Sequence, residues 1–250
     1  GAKLAAADCG GLAASASTTL TYAGVVNGLG ALAVNAATDA TGTVILSSAD
    51  IFMGGTTVSR GTLQLGNAGA LGIGTLALNG GTVNGSTALT ALTLGGLSGT
   101  ATGSLLSLSN TNATPAAIAL SVGSNNASTS YLGVISGLGS VTKIGTGTLT
   151  LAGANTYTGA TAINRGGVTL DFSAATPTTN ILAATSALSM GGGTLTLTGK
   201  ASTTNAQTFA GLTLNSGANA IVLTANATAN PLALTVGAIT ANAGATLNVT

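Results

Sequence analysis

The chain has 250 residues and a net charge of +1, with five Lys or Arg against four acidic residues and no His. Charged residues are only 4% and aromatics 2%, which excludes the clustered cations of a nucleic-acid binder, and the missing His excludes a Ser/His triad. A mean hydropathy of +0.59 argues for a folded chain whose surface is carried by hydroxyls, amides and small side chains.

Residues 1–20 are Ala/Ser-rich and read as an N-terminal arm or cap. Lys3 is not followed by an apolar h-region, so no signal peptide is read, and an exported chain would start at Gly1 as a processed product. The segment Leu4–Cys9 is not a lipid-attachment box, because Asp8 precedes the Cys and Ala6 stands at the usual Leu position. Cys9 is alone, so it reads as a small buried hydrophobe or the partner of an intermolecular disulfide.

From Tyr22 onward the chain repeats itself. Tyr22-AGVVNGLG recurs as Tyr131-LGVISGLG, and GTVILSSADIFMGGTTVSRGTLQL (42–65) recurs within GTGTLTLAGANTYTGATAINRGGVTL (145–170). In this overlay Gly42 falls on Gly147, Phe52 on Tyr157, Thr56 on Thr161, Arg60 on Arg165 and Leu65 on Leu170. Later, Ala91-LTLGG matches Gly211-LTLNS, and Ala119-LSVG matches Ala233-LTVG. The order of landmarks is preserved while their spacing drifts, so whole coils are expected to correspond, with variable loops between them. This divides the chain into modules 21–130 and 131–250 sharing one core.

Within the modules, Thr148–Leu151 and Thr194–Thr198 alternate Thr with Leu at period two, which predicts strands with Leu inward and Thr outward. Asn79-Gly80-Gly81, Asn84-Gly85 and Gly191-Gly192-Gly193 mark corners. The one helical signal is a turn or two within 181–190. Short strands and tight corners predict an all-β fold, a parallel β-solenoid of about 10–12 coils at about 4.8 Å per coil. An antiparallel sandwich pair would suit the module length, but its core usually recruits more aromatics.

The stretch Gly145–Leu170 resembles the autotransporter-associated β-strand repeat of secreted bacterial passenger domains. The match lies in Gly-x-Gly-Thr-Leu-Thr-Leu, then Gly153-x-Asn155-Thr156-Tyr157-Thr158-Gly159, then Thr161-x-Ile163-Asn164-x-Gly166. The copy at 42–65 is degraded, with Phe52 in place of the Tyr. The resemblance implies a right-handed β-helix, an extracellular or bacterial cell-surface location, and a role in adhesion, aggregation or matrix formation. Family passengers are commonly followed by a membrane barrel. The chain ends at Thr250 without one and so reads as a released passenger fragment or a free-standing relative.

Chemistry is sparse. No catalytic, cofactor-binding or metal-binding residue is assigned, and the chain is expected not to be an enzyme. Asp39 and Asp50 could approach across coils, but a turn-capping role suits them better. The calcium nonapeptide of solenoids is absent, and one Cys without His cannot hold zinc. Gly28-Leu29-Gly30 and Gly145-Thr146-Gly147 lack the Lys of a phosphate loop and read as corners. Arg60 and Arg165 occupy equivalent positions and are expected to bond carbonyls at coil corners. No run of about 18 apolar residues can span a bilayer as a helix, and so few aromatics cannot build the girdles of a membrane barrel.

The expected function is therefore that of a non-enzymatic extracellular structural protein. It would self-associate head-to-tail into a filament, sheath or matrix, or act as an autotransporter-type adhesin. The alternative is a module that binds ice or glycans through outward Thr arrays such as 148/150 and 194/196/198. Partners are then the chain itself, the cell surface or glycans, with no nucleic acid.

Overall fold

The computed structural model describes residues 4–5, 10–174, 177–226 and 231–250, so Lys3, Asp8 and Cys9 lie outside the described residues. Every named strand pair among them is parallel, and no helix is present. Parallel neighbours cannot be joined by a tight hairpin. Each strand therefore pairs not with the next in sequence but with its counterpart one coil on.

Three faces result. The first holds Val26–Gly28 and Ile51–Phe52, and later Ala91–Leu94, Ala119–Val122, Val141–Lys143, Thr161–Ile163 and Leu188–Met190. The second begins with Gly10–Leu12, Leu32–Val34, Thr56–Val58, Thr75–Leu78 and Gly96–Ser98. A parallel bridge from Gly99 to Tyr131 carries it on into Thr129–Tyr131, Thr148–Leu151, Gly167–Asp171 and Thr194–Thr198. The third runs from Thr19–Tyr22 through Thr43–Leu46, Thr62–Leu65, Thr82–Gly85 and Leu105–Asn110 to Val134–Ser136. The Thr156 N–H donating to Ile135 O (2.9 Å) extends it to the following coil. About ten coils stack in this way, giving a rod of about 50 Å.

The alternation is obeyed residue by residue. In Thr148–Leu151 both Leu are buried and both Thr half-buried, and Thr194–Thr198 follows the same rule. Inward residues then stack on their own kind, as in Val44–Leu63–Val83–Leu106–Ile135 and Leu149–Val168–Leu195–Ile221. One apolar cluster runs from Ala14 to Ile221. The few aromatics go inside as well: Phe52, Tyr131, Tyr157, Phe172 and Phe209 are all fully buried.

Corners hold coils together closely enough to dictate glycine. Gly61 and Gly166 both have φ near +60°, and a Cβ on either would stand within 2.5 Å of a carbonyl oxygen on the preceding coil. A side chain there would meet both backbone strain and a clash.

Two expectations need correction. The helical turn expected within 181–190 does not form. Ile181 and Leu182 are buried core residues, Ser186 turns back through its N–H to Ala183 O (2.9 Å), and Leu188–Met190 is a strand. Small polar residues between the apolar ones let this segment close a corner. Nor does the first part of the repeat correspond by whole coils, although the later pairs 91–94/211–214 and 119–122/233–236 do share the first face. Thr43–Leu46 lies on the third face, whereas its equivalent Thr148–Leu151 lies on the second. The motif specifies strands and corners, and these work equally well on any face.

Because Leu149 and Leu195 sit fully inside, Leu149→Asp or Leu195→Asp should cost at least about 3 kcal/mol by stranding a charge. Thr148→Ser, on the outward parity, should stay within about 0.5 kcal/mol. Thermal midpoints that fall equally for both classes would show the register to be wrong.

Candidate functional site

The outward parity of each face builds columns of hydroxyls. On the third face Thr19, Thr43, Thr62 and Thr82 stand in register on four successive coils. On the second face Ser130, Thr150, Thr169 and Thr196 do the same. The first face carries Thr93–Ser121–Thr142, interrupted by Ala162, and then Ser189–Thr213–Thr240. Along the sequence these Thr look irregularly spaced, because loops of different length separate the coils. The parallel register removes that irregularity. The surface is thus a lattice of hydroxyls with a rung spacing of about 4.8 Å and about 6.6 Å between alternate residues of one strand. It can offer hydrogen bonds and flat contact, with little charge.

Apolar exposure is concentrated elsewhere. Leu29, Ile51, Met53 and Ile73 protrude at or beside the first face of the early coils. Met53 N–H donates to Gly28 O (3.1 Å) and Ile73 N–H to Phe52 O (3.4 Å), so Leu29, Met53 and Ile73 lie one above another.

The charged residues divide in a way their scarcity conceals. Asp39, Arg165 and Lys200 are exposed. Arg60 donates to Thr38 O (3.3 Å), the corner bond expected of it, while Arg165 at the equivalent position points to solvent. Asp171 caps a turn by accepting from the N–H and the hydroxyl of Ser173 (2.9 and 2.6 Å). Asp50 and Lys143, in contrast, are interior. Lys143 stacks between Val122 and Ile163, its Nζ donating to the carbonyls of Ile144 (2.5 Å) and Gly145 (3.1 Å), and burial pushes its ammonium below the usual lysine range. The sequence carried this signal in Val141-Thr142-Lys143, where period two puts residue 143 on the inward parity. Asp50 accepts from Val26 N–H on the preceding coil, so Asp39 and Asp50 form no acidic pair. No group of three or more potential metal ligands assembles among the described residues.

Buried amides tie the coils together. Asn155 accepts from Ile135 N–H (2.8 Å) on the coil before and donates to Gly153 O (2.8 Å) and to Ile181 O (3.1 Å) on the coil after. Asn35 spans Ala14, Gly42 and Arg60, and Asn219 spans Gly192 and Thr246, in the same manner. Beside Asn155, the buried Tyr157 hydroxyl lies 2.6 Å from Thr161 Oγ1, which has a further contact of 3.5 Å to Ser186. Each such residue satisfies polar groups that no water reaches.

The passenger-associated-transport-repeat matches residues 41–65 and 141–170, the two copies of the internal motif. The chain is 39% identical over 214 residues to the adhesin BmaC autotransporter of Brucella suis biovar 1 (strain 1330). That alignment covers 84% of this chain and 6% of the relative, so the chain spans a small fraction of the relative's length. No solved structure matches it.

Tyr157→Phe removes the short bond and leaves Thr161 with only the long contact to Ser186. It should lower stability by about 1–3 kcal/mol, the range for an orphaned buried hydroxyl. Urea unfolding reads this directly, and an unchanged midpoint would mean that the hydroxyl contributes nothing.

Proposed function

We propose that this chain, which carries two passenger-associated transport repeats of the autotransporter passenger family, is an adhesin-type solenoid. It is a non-enzymatic rod displayed outside a bacterial cell, with the hydroxyl lattice as its contact surface. The observation that carries this reading is the 39% identity to an autotransporter adhesin along most of the chain. The lattice supports it. Columns such as Ser130–Thr150–Thr169–Thr196 recur at one spacing and present donors and acceptors together, which suits the hydroxyl-rich surface of a glycan. The same columns favour the second reading, a module that binds an ordered surface such as ice.

Self-association completes the proposal. A net charge of +1 provides almost no repulsion between copies, and Leu29, Met53 and Ile73 form an exposed apolar column. Copies that associate head-to-tail would make a heterologous contact that does not close, giving a filament.

The adhesion test uses beads coated with the chain and offered to mammalian cells, immobilised glycans and ice crystals. Replacing Thr150, Thr169 and Thr196 together by Lys should abolish adhesion, at least tenfold, while the thermal midpoint stays within a few degrees. Retention on glycans alone or shaping of ice alone separates the two readings, and undiminished adhesion of the triple variant overturns both. For assembly, sedimentation at rising concentration should show species growing beyond a dimer, with little change between low and high salt. A sharp monomer at all concentrations removes the filament.

A further inference from the structure

The two copies of the repeat are not equally satisfied inside. Asp50 stands where the second copy has Asn155, and Phe52 where it has Tyr157. The backbone roles agree: Asp50 Oδ1 accepts from Val26 N–H (2.8 Å) on the preceding coil, as Asn155 Oδ1 accepts from Ile135 N–H (2.8 Å). The Asp50 N–H donates to Gly69 O on the following coil, as that of Asn155 donates to Ile181 O. The difference lies in the second polar atom. Asn155 Nδ2 donates to two carbonyls, whereas Asp50 Oδ2 is buried without a partner. Thr56 Oγ1 is buried without a partner too, because Phe52 lacks the hydroxyl that Tyr157 holds 2.6 Å from Thr161.

We propose that Asp50 is a protonation latch: as a neutral acid it can donate the coil-spanning bond that Asn155 makes in the second repeat, and on ionising it loosens the coils around the first. By correspondence with Asn155, the acceptors are the carbonyls of Ser48 and Gly69. An ionised carboxylate there has no donor to offer and sets an anion against carbonyl oxygens, out of water. Only the Val26 N–H compensates. The carboxyl faces Val26 on the coil before and Gly69 on the coil after, with Ala49 and Ile51 beside it in sequence, and none of these titrates. Burial holds the acid above the usual carboxylate range, and the bond from Val26 offsets this only in part.

The sign follows from proton linkage. A folded chain that keeps a proton the unfolded chain releases is most stable in acid. The contribution is fully present below about pH 4, where the unfolded side chain is still protonated. It is lost as the pH rises through the raised range of the folded acid. The window is unusually clean, because the chain has no His and no Glu.

The test is amide hydrogen exchange on the intact chain between pH 4 and 8, scored as protection factors. Protection of Val26 and Asp50 should fall about tenfold per pH unit above pH 4 and then level off, while Ile135 and Asn155, at the equivalent places, stay constant. Asp50→Asn should abolish that fall and raise protection at pH 7, and Phe52→Tyr should raise protection without altering the pH dependence. Equal, pH-independent protection at both repeats in the unaltered chain overturns the proposal, and that measurement needs no variant. An Asp50→Asn chain that keeps the fall overturns it as well.

Discussion

Nearly everything in this molecule depends on one constraint of parallel coiling: apart from a local antiparallel bridge between Ser109 and Ala117, a strand's backbone partners lie on the coils before and after it. No rung is self-sufficient. A polar group that fails inside one coil therefore weakens two joints. This is why buried amides such as Asn35, Asn155 and Asn219 each reach in both directions along the axis. One interior hydrogen bond adds only about 1 kcal/mol net, but an orphaned partner costs about 1–3. The interior is consequently governed less by the bonds it gains than by the defects it avoids.

The alternation of Thr with Leu makes the solenoid readable from the sequence, because period two separates inside from outside without reference to neighbours. What depended on neighbours was not readable. The hydroxyl columns need the register between coils, which loops of unequal length hide. The segment 181–190 offered apolar residues at a helix-like spacing, yet Ile181 and Leu182 pack into a preformed lumen and Ser186 closes the corner with its own backbone. Lys143 and Asp50 are charged residues that the fold buries. Their parity with Val141 and Phe52 was in the sequence all along, and it was the better guide.

The outside of the rod follows from the inside. A lumen filled by aliphatic and aromatic side chains supplies stability without help from the surface, so the outward parity is free to be almost uniformly small and polar. Charge is withheld from the outward parity, and among the described residues the few cations and carboxylates sit at corners, at a capped turn, or within the core. A surface of this kind contacts by fit and hydrogen bonding, summed over many weak sites. It does not steer partners from a distance.

The displacement of the second motif by one face has a consequence for display. A repeat whose length were a whole number of coils would put every copy on one side, and the rod would have a front and a back. A step of one face between the two copies instead turns the motif about the axis, as on the thread of a screw. Three such steps return it to its starting azimuth. A rod built on this pitch would show the same chemistry to every approach direction, so it could lie against a surface in any roll angle and still find purchase.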